Sequence, residues 1–237
     1  MPTFLRSIRA YLATLAQQFG KTISRSSFRR WLKNWGKVYK RAKRSCKAHR
    51  DETLFSFFQQ ELQALKAWED QGEIDLFFYD EMGLNLIPSI PYGWQTKGQT
   101  VEIPSLKSSN ISTAGFLSRD NRFTSWVVQG AINTEMTVKI FEEFAQSITK
   151  KTVVILDNAS SHTAKLFQDQ LPGWRQKGLL IQFIPAHCPE LNYIEMLWHK
   201  IKYDWLEIEA FLSKDNLLLH LDNILMEIGN KYRITFS

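Results

Sequence analysis

Residues 152–157 read TVVILD, a run of branched apolar residues that ends in an acid. A continuous apolar run of this length, bounded by polar residues, predicts a strand that is buried on both faces of a sheet. The stretch 74–80, IDLFFYD, has the same form and ends in Asp80. The two stretches therefore predict central strands of an α/β domain, with a carboxylate at the end of each.

Shorter patterned stretches surround these two strands. Further strands are predicted at VEIP (101–104), STAGFLS (112–118), FTSWVVQGAI (123–132) and LLIQFIP (179–185). Helices are predicted over 137–150, after Ser160, along one long stretch over 190–212, and over 214–228. Several strands of antiparallel type thus precede alternating helices and strands, which indicates an α/β fold whose parallel part is built by crossovers.

The first 50 residues differ from the rest of the chain in charge. They hold 14 Lys+Arg and no acid, whereas residues 51–237 hold 16 Lys+Arg and 24 Asp+Glu. The net charge of +6 therefore hides a segment of +14 joined to one of −8. Such a split indicates a polyanionic partner, most often nucleic acid. With 44% hydrophobic residues, the chain as a whole can still build a core.

The basic segment predicts two short helices. Apolar residues three and four apart indicate a helix over 3–19 that ends at Gly20, and Ser24 is a suitable N-cap for a second helix over 25–35. Two short helices joined by a turn with Gly suggest a helix-turn-helix, whose second helix reads DNA. The candidate DNA contacts there are Arg25, Ser26, Ser27, Arg29, Arg30 and Lys33. Its predicted apolar face is Phe28, Trp31, Leu32 and Trp35. The alternative is a basic helical hairpin that only packs on the body.

Residues 36–50 have no apolar periodicity and predict a basic linker that can follow phosphates. The candidate contacts in it are Lys40, Arg41, Lys43 and Arg44. A third amphipathic helix is predicted over 51–71 and ends at Gly72. These boundaries divide the chain into a basic helix-turn-helix segment (1–50), a connecting helix (51–72) and a larger α/β domain (73–237).

Three acids are candidates for one metal site. Asp80 and Asp157 end separate apolar strands, and the chemistry of open α/β sheets gathers at the carboxyl ends of strands. Glu195 lies beside the apolar stripe of the predicted long helix. Three carboxylates suit Mg²⁺ or Mn²⁺, and two ions roughly 3.5–4 Å apart could activate a water and stabilise the leaving oxygen in phosphodiester cleavage. On spacing alone, the alternative that each acid only caps the following turn or helix stays open.

The residues around these acids resemble the three signature blocks of DDE transposases. The blocks are FFYDEMGLNLIP, VVILDNASSHTA and IPAHCPELNYIEMLWHKIK. The resemblance is to the mariner superfamily, in particular its bacterial insertion-sequence branch. The 37 residues between Asp157 and Glu195 are close to the spacing of that superfamily. YGW at 92–94 and the helix-turn-helix with its GKVYKR tail also resemble the family.

The resemblance implies an RNase H-like mixed sheet flanked by helices, preceded by a small all-α helix-turn-helix segment. It implies a transposase that cleaves the ends of a mobile element and then joins the freed 3′-hydroxyl to target DNA. Asp80, Asp157 and Glu195 match the catalytic metal ligands, with Mg²⁺ or Mn²⁺, in two copies, as the cofactor. Double-stranded DNA is the implied partner, a homodimer on DNA the implied assembly, and the bacterial cytoplasm the implied location.

Two residues of the second block match the family beside Asp157. Asn158 and His162 could orient that carboxylate or contact DNA. For His162 the alternative is a cap at the start of a helix.

Two residues match around the third block. Asn192 is expected to fix the turn into the helix, and Lys202 could meet a phosphate. For Lys202 the alternative is a solvated helix face. Glu81 points to the side of the strand opposite Asp80, so we expect it to be structural or secondary.

The sequence also departs from the family pattern. Tyr193 stands where the third block usually has Pro, and His187-Cys188 stand where it usually has Tyr-Ser. Relatives usually carry another helix-turn-helix before the one seen here, so we expect a truncated copy or the downstream product of a split reading frame. A non-catalytic, transposase-derived DNA-binding protein or regulator is therefore an alternative, as is another RNase H-like nuclease.

Other classes of site find little support. The two cysteines, Cys46 and Cys188, cannot form a disulfide scaffold and fit a reducing compartment. Cys46 with His49, and Cys188 with His187, lack the four-ligand spacing of a zinc site. No apolar run approaches the roughly 18–20 residues of a membrane span. No Gly-rich phosphate loop is present, so we expect no nucleotide cofactor.

Overall fold

A computed structural model describes residues 8–39, 49–89, 100, 102–103 and 110–236 of the protein. The chain divides into two compact units, residues 1–45 and 46–237, which we call the arm and the body. The third predicted helix lies within the body. Lys40, Arg41, Lys43, Arg44, Cys46 and the YGW stretch lie outside the described residues.

The arm contains helices α1 (Ile8–Phe19) and α2 (Arg25–Asn34). Ser24 caps α2 as predicted, because its side chain accepts the Ser27 N–H at 3.1 Å. The predicted apolar face of α2 is wrong in part. Phe28 is buried, but Trp31 and Trp35 are 41% and 52% exposed, since one short neighbouring helix covers only part of such a face.

The body contains five strands and seven α-helices among its described residues. The strands are β1 (Asp75–Leu84), β2 (Ile111–Ser118), β3 (Phe123–Gln129), β4 (Thr152–Leu156) and β5 (Leu179–Phe183). The helices are α3 (Glu52–Asp70), α4 (Thr134–Ser147), α5 (Ser160–Thr163), α6 (Lys165–Gln168), α7 (Leu171–Gln176), α8 (Ile194–Lys200) and α9 (Lys214–Met226). None of the helices described is long and apolar enough to cross a membrane.

The strands form one mixed sheet in the order β3-β2-β1-β4-β5. The β1–β2 and β2–β3 pairs are antiparallel, whereas β1–β4 and β4–β5 are parallel. Helix α4 connects β3 to β4, and α5 to α7 connect β4 to β5, as parallel pairing requires. The strand predicted over 101–104 is wrong where it can be judged: Glu102 and Ile103 are in no strand, and the other two residues lie outside the described part.

The core lies on both faces of this sheet. Leu76, Phe78 and Met82 of β1 point to one face, which α3, α8 and α9 cover. Phe77 and Tyr79 point to the other face, which α4, α6 and α7 cover. Strand β1 is therefore buried on both sides, as its continuous apolar run predicts.

Strand β1 is longer than predicted and does not end at Asp80. Its parallel pairing with β4 stops at Phe78, opposite Ile155. Its antiparallel pairing with β2 continues to Leu84, opposite Ile111. Asp80 thus lies where one neighbouring strand has ended, because the other neighbour keeps β1 extended beyond it.

The single long helix predicted over 190–212 is also wrong. Pro189–Leu191 form a 3-10 turn, α8 begins only at Ile194, and Ile201–Trp205 form a π-helical turn. The Leu206 N–H then bonds to the Ile201 carbonyl, and Leu206 takes an extended conformation that ends the helix. A separate 3-10 segment, Ile208–Leu212, precedes α9. Ile201, the first residue of the π-helical turn, remains part of the buried core on this face of the sheet.

A turn between β2 and β3 holds the C-terminal segment. The Asn121 side chain accepts the Ile234 N–H at 2.6 Å and donates to the Ile234 carbonyl at 3.0 Å. Gly229 packs against the same turn with φ +88°, and a Cβ there would lie 2.6 Å from the Asn121 carbonyl oxygen. Only glycine fits that position without a shift of the backbone.

Candidate active site

A cavity of about 240 Å³ opens at the end of β4. It is lined by Asp80, Asp157, Asn158, Ala159, Ile184, Pro185, Ala186, His187, Cys188, Pro189, Asn192 and Glu195. The structure therefore brings the three candidate acids together with Asn158 and Asn192. His162 and Lys202 lie outside the cavity lining.

The sheet register explains why two of the acids meet. Phe78 and Ile155 are the last paired residues of β1 and β4. Asp80 and Asp157 each follow two residues later, so Asp80 within β1 lies level with Asp157, which directly follows β4. Glu195 is the second residue of α8, which packs against β1.

Among the described residues, no cationic side chain neutralises Asp80. Burial raises the pKa of its carboxyl to about 8, and the negative charges of Glu195 and Asp157 add to this effect. Burial and the charge of Asp157 also raise the pKa of Glu195, against the opposing charge of Lys202. The cavity is therefore a place where a cation would be favoured, because removing the repulsion lets the carboxyls ionise.

Asp157 differs from the other two acids because His162 supports it. The His162 Nδ1 lies 3.0 Å from Asp157 Oδ1, and the Ala159 N–H donates to the same oxygen at 3.1 Å. The hydrogen bond from His162 and that from Ala159 lower the pKa of Asp157, although burial opposes them. This carboxylate therefore stays ionised at neutral pH.

His162 lies between two carboxylates. It is 1% exposed, and its Nε2 lies 3.5 Å from Glu81 Oε1. Burial lowers the pKa of the imidazole, but the bonds and charges of Asp157 and Glu81 outweigh burial and raise it to about 9. His162 is thus a buried ring bonded to Asp157. It lies in the last turn of α5 and does not cap the start of that helix, which was its alternative.

The two asparagines of the cavity fix its walls. Asn192 Nδ2 donates to the Tyr79 carbonyl at 2.8 Å, and Asn158 Nδ2 donates to the Ile184 carbonyl at 2.6 Å. A carbonyl only accepts, so the orientation of each amide is determined. The Oδ1 of Asn192 is buried and has no partner among the described residues. This oxygen is closed off from solvent, so the contact of Asn192 that shapes the cavity wall is its bond to Tyr79.

The loop on the far side of the cavity is held by Arg50. The Arg50 guanidinium is hydrogen-bonded to Glu190 and to Glu52, and it lies over the Phe55 ring at 3.8 Å. The residues just before α3 therefore fasten the cavity wall that contains Cys188, a free and buried thiol.

Glu81 is the residue of this site whose contacts the sequence did not predict. Its side chain points away from Asp80, as expected, yet His162 reaches it on that opposite face. A signal was present in the sequence: Glu81 follows an apolar run in a predicted strand, and a carboxylate that is even partly buried there needs a partner.

The candidate DNA contacts of the arm lie on the surface of α2. Arg25, Ser26, Arg29, Arg30 and Lys33 are exposed. Ser27 is half-buried, and its hydroxyl bonds to Ser24. The arm therefore presents four cations on one short helix.

The acids fit Mg²⁺ or Mn²⁺ by their donor chemistry. The three acids supply carboxylate oxygens, which these ions prefer as ligands. In the parts of the chain that the structure describes, no three His, Cys, Asp or Glu side chains are already gathered as a metal site. The side chains therefore share a cavity, and an ion would have to draw them together.

The sequence of this chain is similar to sequences of known proteins. Residues 75–218 match the family described as DDE superfamily endonuclease. The chain is 24% identical over 188 residues to the insertion element IS630 uncharacterized 39 kDa protein of Shigella sonnei. That match covers 77% of this chain and 52% of the relative, so the chain spans about half the length of that protein.

Solved structures extend the likeness to the fold. The Mos1 Strand Transfer Complex has a TM-score of 0.56 at 14% identity, over 97% of this chain and 74% of that one. The mariner Mos1 paired end complex with Mg has a TM-score of 0.56 at 13% identity, over 95% and 73%. These likenesses confirm the predicted RNase H-like mixed sheet flanked by helices. With the family match over more than half its length, the chain belongs to the DDE superfamily of endonucleases.

Proposed function

We propose that this protein is a metal-dependent transposase that binds the ends of a mobile DNA element, cleaves phosphodiester bonds there and joins the ends to target DNA. The observation that carries the proposal is the single cavity lined by Asp80, Asp157 and Glu195. These acids come from a strand, the loop after a second strand, and a helix. Convergence from three distant segments is typical of a catalytic site at the carboxyl end of a sheet.

Asp80, Asp157 and Glu195 would hold the divalent ions. When bound, such ions supply a water nucleophile at neutral pH and stabilise the leaving oxygen of phosphodiester cleavage. Mos1 complexes with Mn and with Mg support this choice of metal. Asp157 keeps its position through His162, and Lys202 adds positive charge beside Glu195 that suits a phosphate. The reaction needs no serine or cysteine nucleophile.

The arm would bring DNA to the body. Its four exposed cations on α2 suit contact with phosphates, and Lys40, Arg41, Lys43 and Arg44 continue the charge in sequence. Mos1 structures with paired transposon ends support DNA as the partner. A homodimer that holds two ends together is the corresponding assembly.

Nicking of supercoiled plasmid DNA by the purified chain tests the proposal. We expect nicked product with Mn²⁺ or Mg²⁺ and none with EDTA. Strand joining into a second plasmid would distinguish a transposase from another RNase H-like nuclease. DNA binding without nicking under any metal would contradict the enzyme and favour a non-catalytic DNA-binding relative.

Asp80→Asn should stabilise the protein in metal-free buffer at pH 8. Because the folded pKa of about 8 lies above the ordinary value of 3.8, folded Asp80 keeps a proton that the unfolded chain has lost. Stability from this group is fully present below about pH 4 and is lost as pH rises through about 8. Asparagine carries no such penalty. We expect a gain in the free energy of unfolding of about 1.4 kcal/mol or more at pH 8, the equivalent of one pKa unit, in urea titrations.

The control for this variant is Asp222→Asn, on the exposed surface of α9, which should change stability little at either pH. Mn²⁺ should raise the melting temperature of the wild type and of Asp222→Asn more than that of Asp80→Asn. A wild type whose stability rises between pH 5 and pH 8 relative to Asp80→Asn would contradict the repulsion described above.

Replacing Arg29 and Arg30 together by Ala should weaken DNA binding. Both residues belong to the arm, so every residue of the body stays unchanged. Each phosphate contact contributes about 0.9 to the slope of log affinity against log salt. Loss of two contacts should therefore lower the slope by about 1.8. Fluorescence anisotropy with a labelled duplex at several salt concentrations measures this. Gln18→Ala, at an exposed neutral position of α1, should leave the slope unchanged, and an unchanged slope in the double variant would remove α2 from the interface.

A further inference from the structure

We propose that Glu81 and His162 are positioning residues that hold Asp157 from the opposite face of the sheet, so that one carboxylate oxygen, Oδ2, is presented to the cavity. This inference rests on the proposed function, because it assigns the support of a proposed metal ligand. Neither residue lines the cavity, so each would act through Asp157.

The two carboxylate oxygens of Asp157 differ in their hydrogen bonds. Oδ1 accepts the Ala159 N–H at 3.1 Å and the His162 Nδ1 at 3.0 Å. No hydrogen bond from a described residue reaches Oδ2. One oxygen is thus committed to the protein, and the other is left for whatever enters the cavity.

The two ring nitrogens of His162 face different oxygen atoms. Its Nδ1 faces the Asp157 carboxylate and, at 3.2 Å, the Asp157 carbonyl oxygen. Both of these are acceptors, so Nδ1 must carry a proton. Its Nε2 faces the Glu81 carboxylate at 3.5 Å, which is also an acceptor. That Nε2 is buried and has no hydrogen-bond partner among the described residues. The ring is therefore hydrogen-bonded to Asp157 on one side and faces the Glu81 carboxylate on the other.

Neighbouring side chains restrict the imidazole ring of His162. The Tyr79 and Phe167 rings contact it, with centroids 5.6 Å and 5.8 Å away. The His162 carbonyl accepts a bond from Gln168 Nε2 at 2.7 Å. These contacts leave the imidazole little freedom to turn, so a change at one of its nitrogens is passed to the other.

Neighbouring hydroxyl groups hold the Glu81 carboxylate in place. Its Oε1 accepts the Tyr79 hydroxyl at 2.8 Å. It also lies 3.3 Å from the Thr137 hydroxyl, which shares its proton with the Asn133 carbonyl at 3.0 Å. Thr137 belongs to α4 and is fully buried. Glu81 is thereby tied both to its own strand and to the helix that covers it. The negative charge that faces His162 is consequently held in place.

The consequence lies in the order of residues along β1. Asp80 and Glu81 are consecutive, and they point to opposite faces of the sheet. One strand therefore carries a proposed metal ligand on one face and, through His162, positions a second ligand from the other face. The relative placement of Asp80 and Asp157 would be set by a single rigid element.

The test measures Mn²⁺ affinity, by EPR of the free ion, together with plasmid nicking across Mn²⁺ concentrations. Glu81→Gln keeps an oxygen for Tyr79 and Thr137 but removes the charge that faces His162. We expect Mn²⁺ half-saturation to rise about 10-fold or more, and excess Mn²⁺ to restore part of the nicking rate. DNA affinity should stay at the wild-type value. Glu143→Gln is the matched control, since that Glu also accepts an aromatic donor, Trp126 Nε1 at 2.7 Å, and should titrate like the wild type.

A second pair of variants covers the case in which Glu81→Gln does not fold. His162→Asn keeps a donor that can face Oδ1, whereas His162→Leu keeps none, so Mn²⁺ affinity should fall less in the first. Equal affinities in that pair, or wild-type half-saturation in Glu81→Gln, would overturn this inference while the wild type still bound Mn²⁺ and nicked DNA. A wild type that neither bound Mn²⁺ nor nicked DNA would overturn the proposed function itself, and this inference with it.

Discussion

Asp157→Asn is expected to lower the rate of metal-dependent DNA nicking by about 10³-fold or more, equivalent to about 4 kcal/mol of transition-state stabilisation. Oδ1 of Asp157 is committed to His162 and the Ala159 N–H. The asparagine carbonyl oxygen would keep those two bonds, because both come from donors. Its neutral NH₂ group would then point to the cavity where an anionic oxygen stood. Single-turnover nicking of supercoiled plasmid with saturating Mn²⁺ measures the loss.

The controls for Asp157→Asn separate chemistry from folding and binding. Asp222→Asn removes an exposed acid of α9 and should nick at the wild-type rate. DNA affinity of Asp157→Asn should remain near that of the wild type, because the arm is unaltered. Nicking by Asp157→Asn at the wild-type rate would remove Asp157 from the proposed machinery, whatever the sequence resemblance.

Local signals in the sequence predicted the start of α2 and the course of β4. Ser24 caps α2 because its side-chain oxygen accepts an N–H of the first helical turn, only three residues away. The run 152–157 forms β4 through Leu156, because a short run of branched apolar residues suits a strand that is buried on both faces. Such features depend on a few adjacent residues, and so they can be derived before the fold is known.

Features set by distant pairing could not be derived in this way. The extension of β1 beyond Asp80 depends on β2, whose first residue, Ile111, lies 27 positions after the end of β1 at Leu84. The break at Leu206 was hidden because Ile194, Trp198 and Ile201 keep helical spacing up to the π-helical turn. Periodicity reports which residues are buried, and it does not report whether one helix or two carry them.

The candidate site shows the same division. The three acids could be named from their sequence blocks, and the structure places all of them on one cavity. The link between Glu81 and His162 could not, because it requires the loop after β4 to turn to the far face of β1. His162 follows Asp157 by only five residues, yet its partner lies 81 positions earlier in the chain. A motif names side chains, whereas their support comes from the fold.

An aromatic cluster behind His162 connects that support to the core. Phe141 of α4 contacts the rings of Tyr79 and Phe116 from the sheet, with centroids 4.6 Å and 5.0 Å away. It also contacts Phe167 at 5.0 Å, one of the two rings that border His162. Phe141 is fully buried. The packing of α4 on the sheet and the fixing of the imidazole therefore depend on the same ring.

Phe141→Ala should reduce the free energy of unfolding by about 3–5 kcal/mol, the usual cost of emptying a buried phenylalanine site. Guanidinium titration should show a lower midpoint with an unchanged slope, as expected if only stability changes. Phe141→Leu should recover part of the loss, because it refills most of the cavity. Leu219→Ala, at a position of α9 that is 59% exposed, should cost little. If Phe141→Ala cost no more than Leu219→Ala, the cluster would be loosely packed, and it could not hold the His162 ring in the position that supports Asp157.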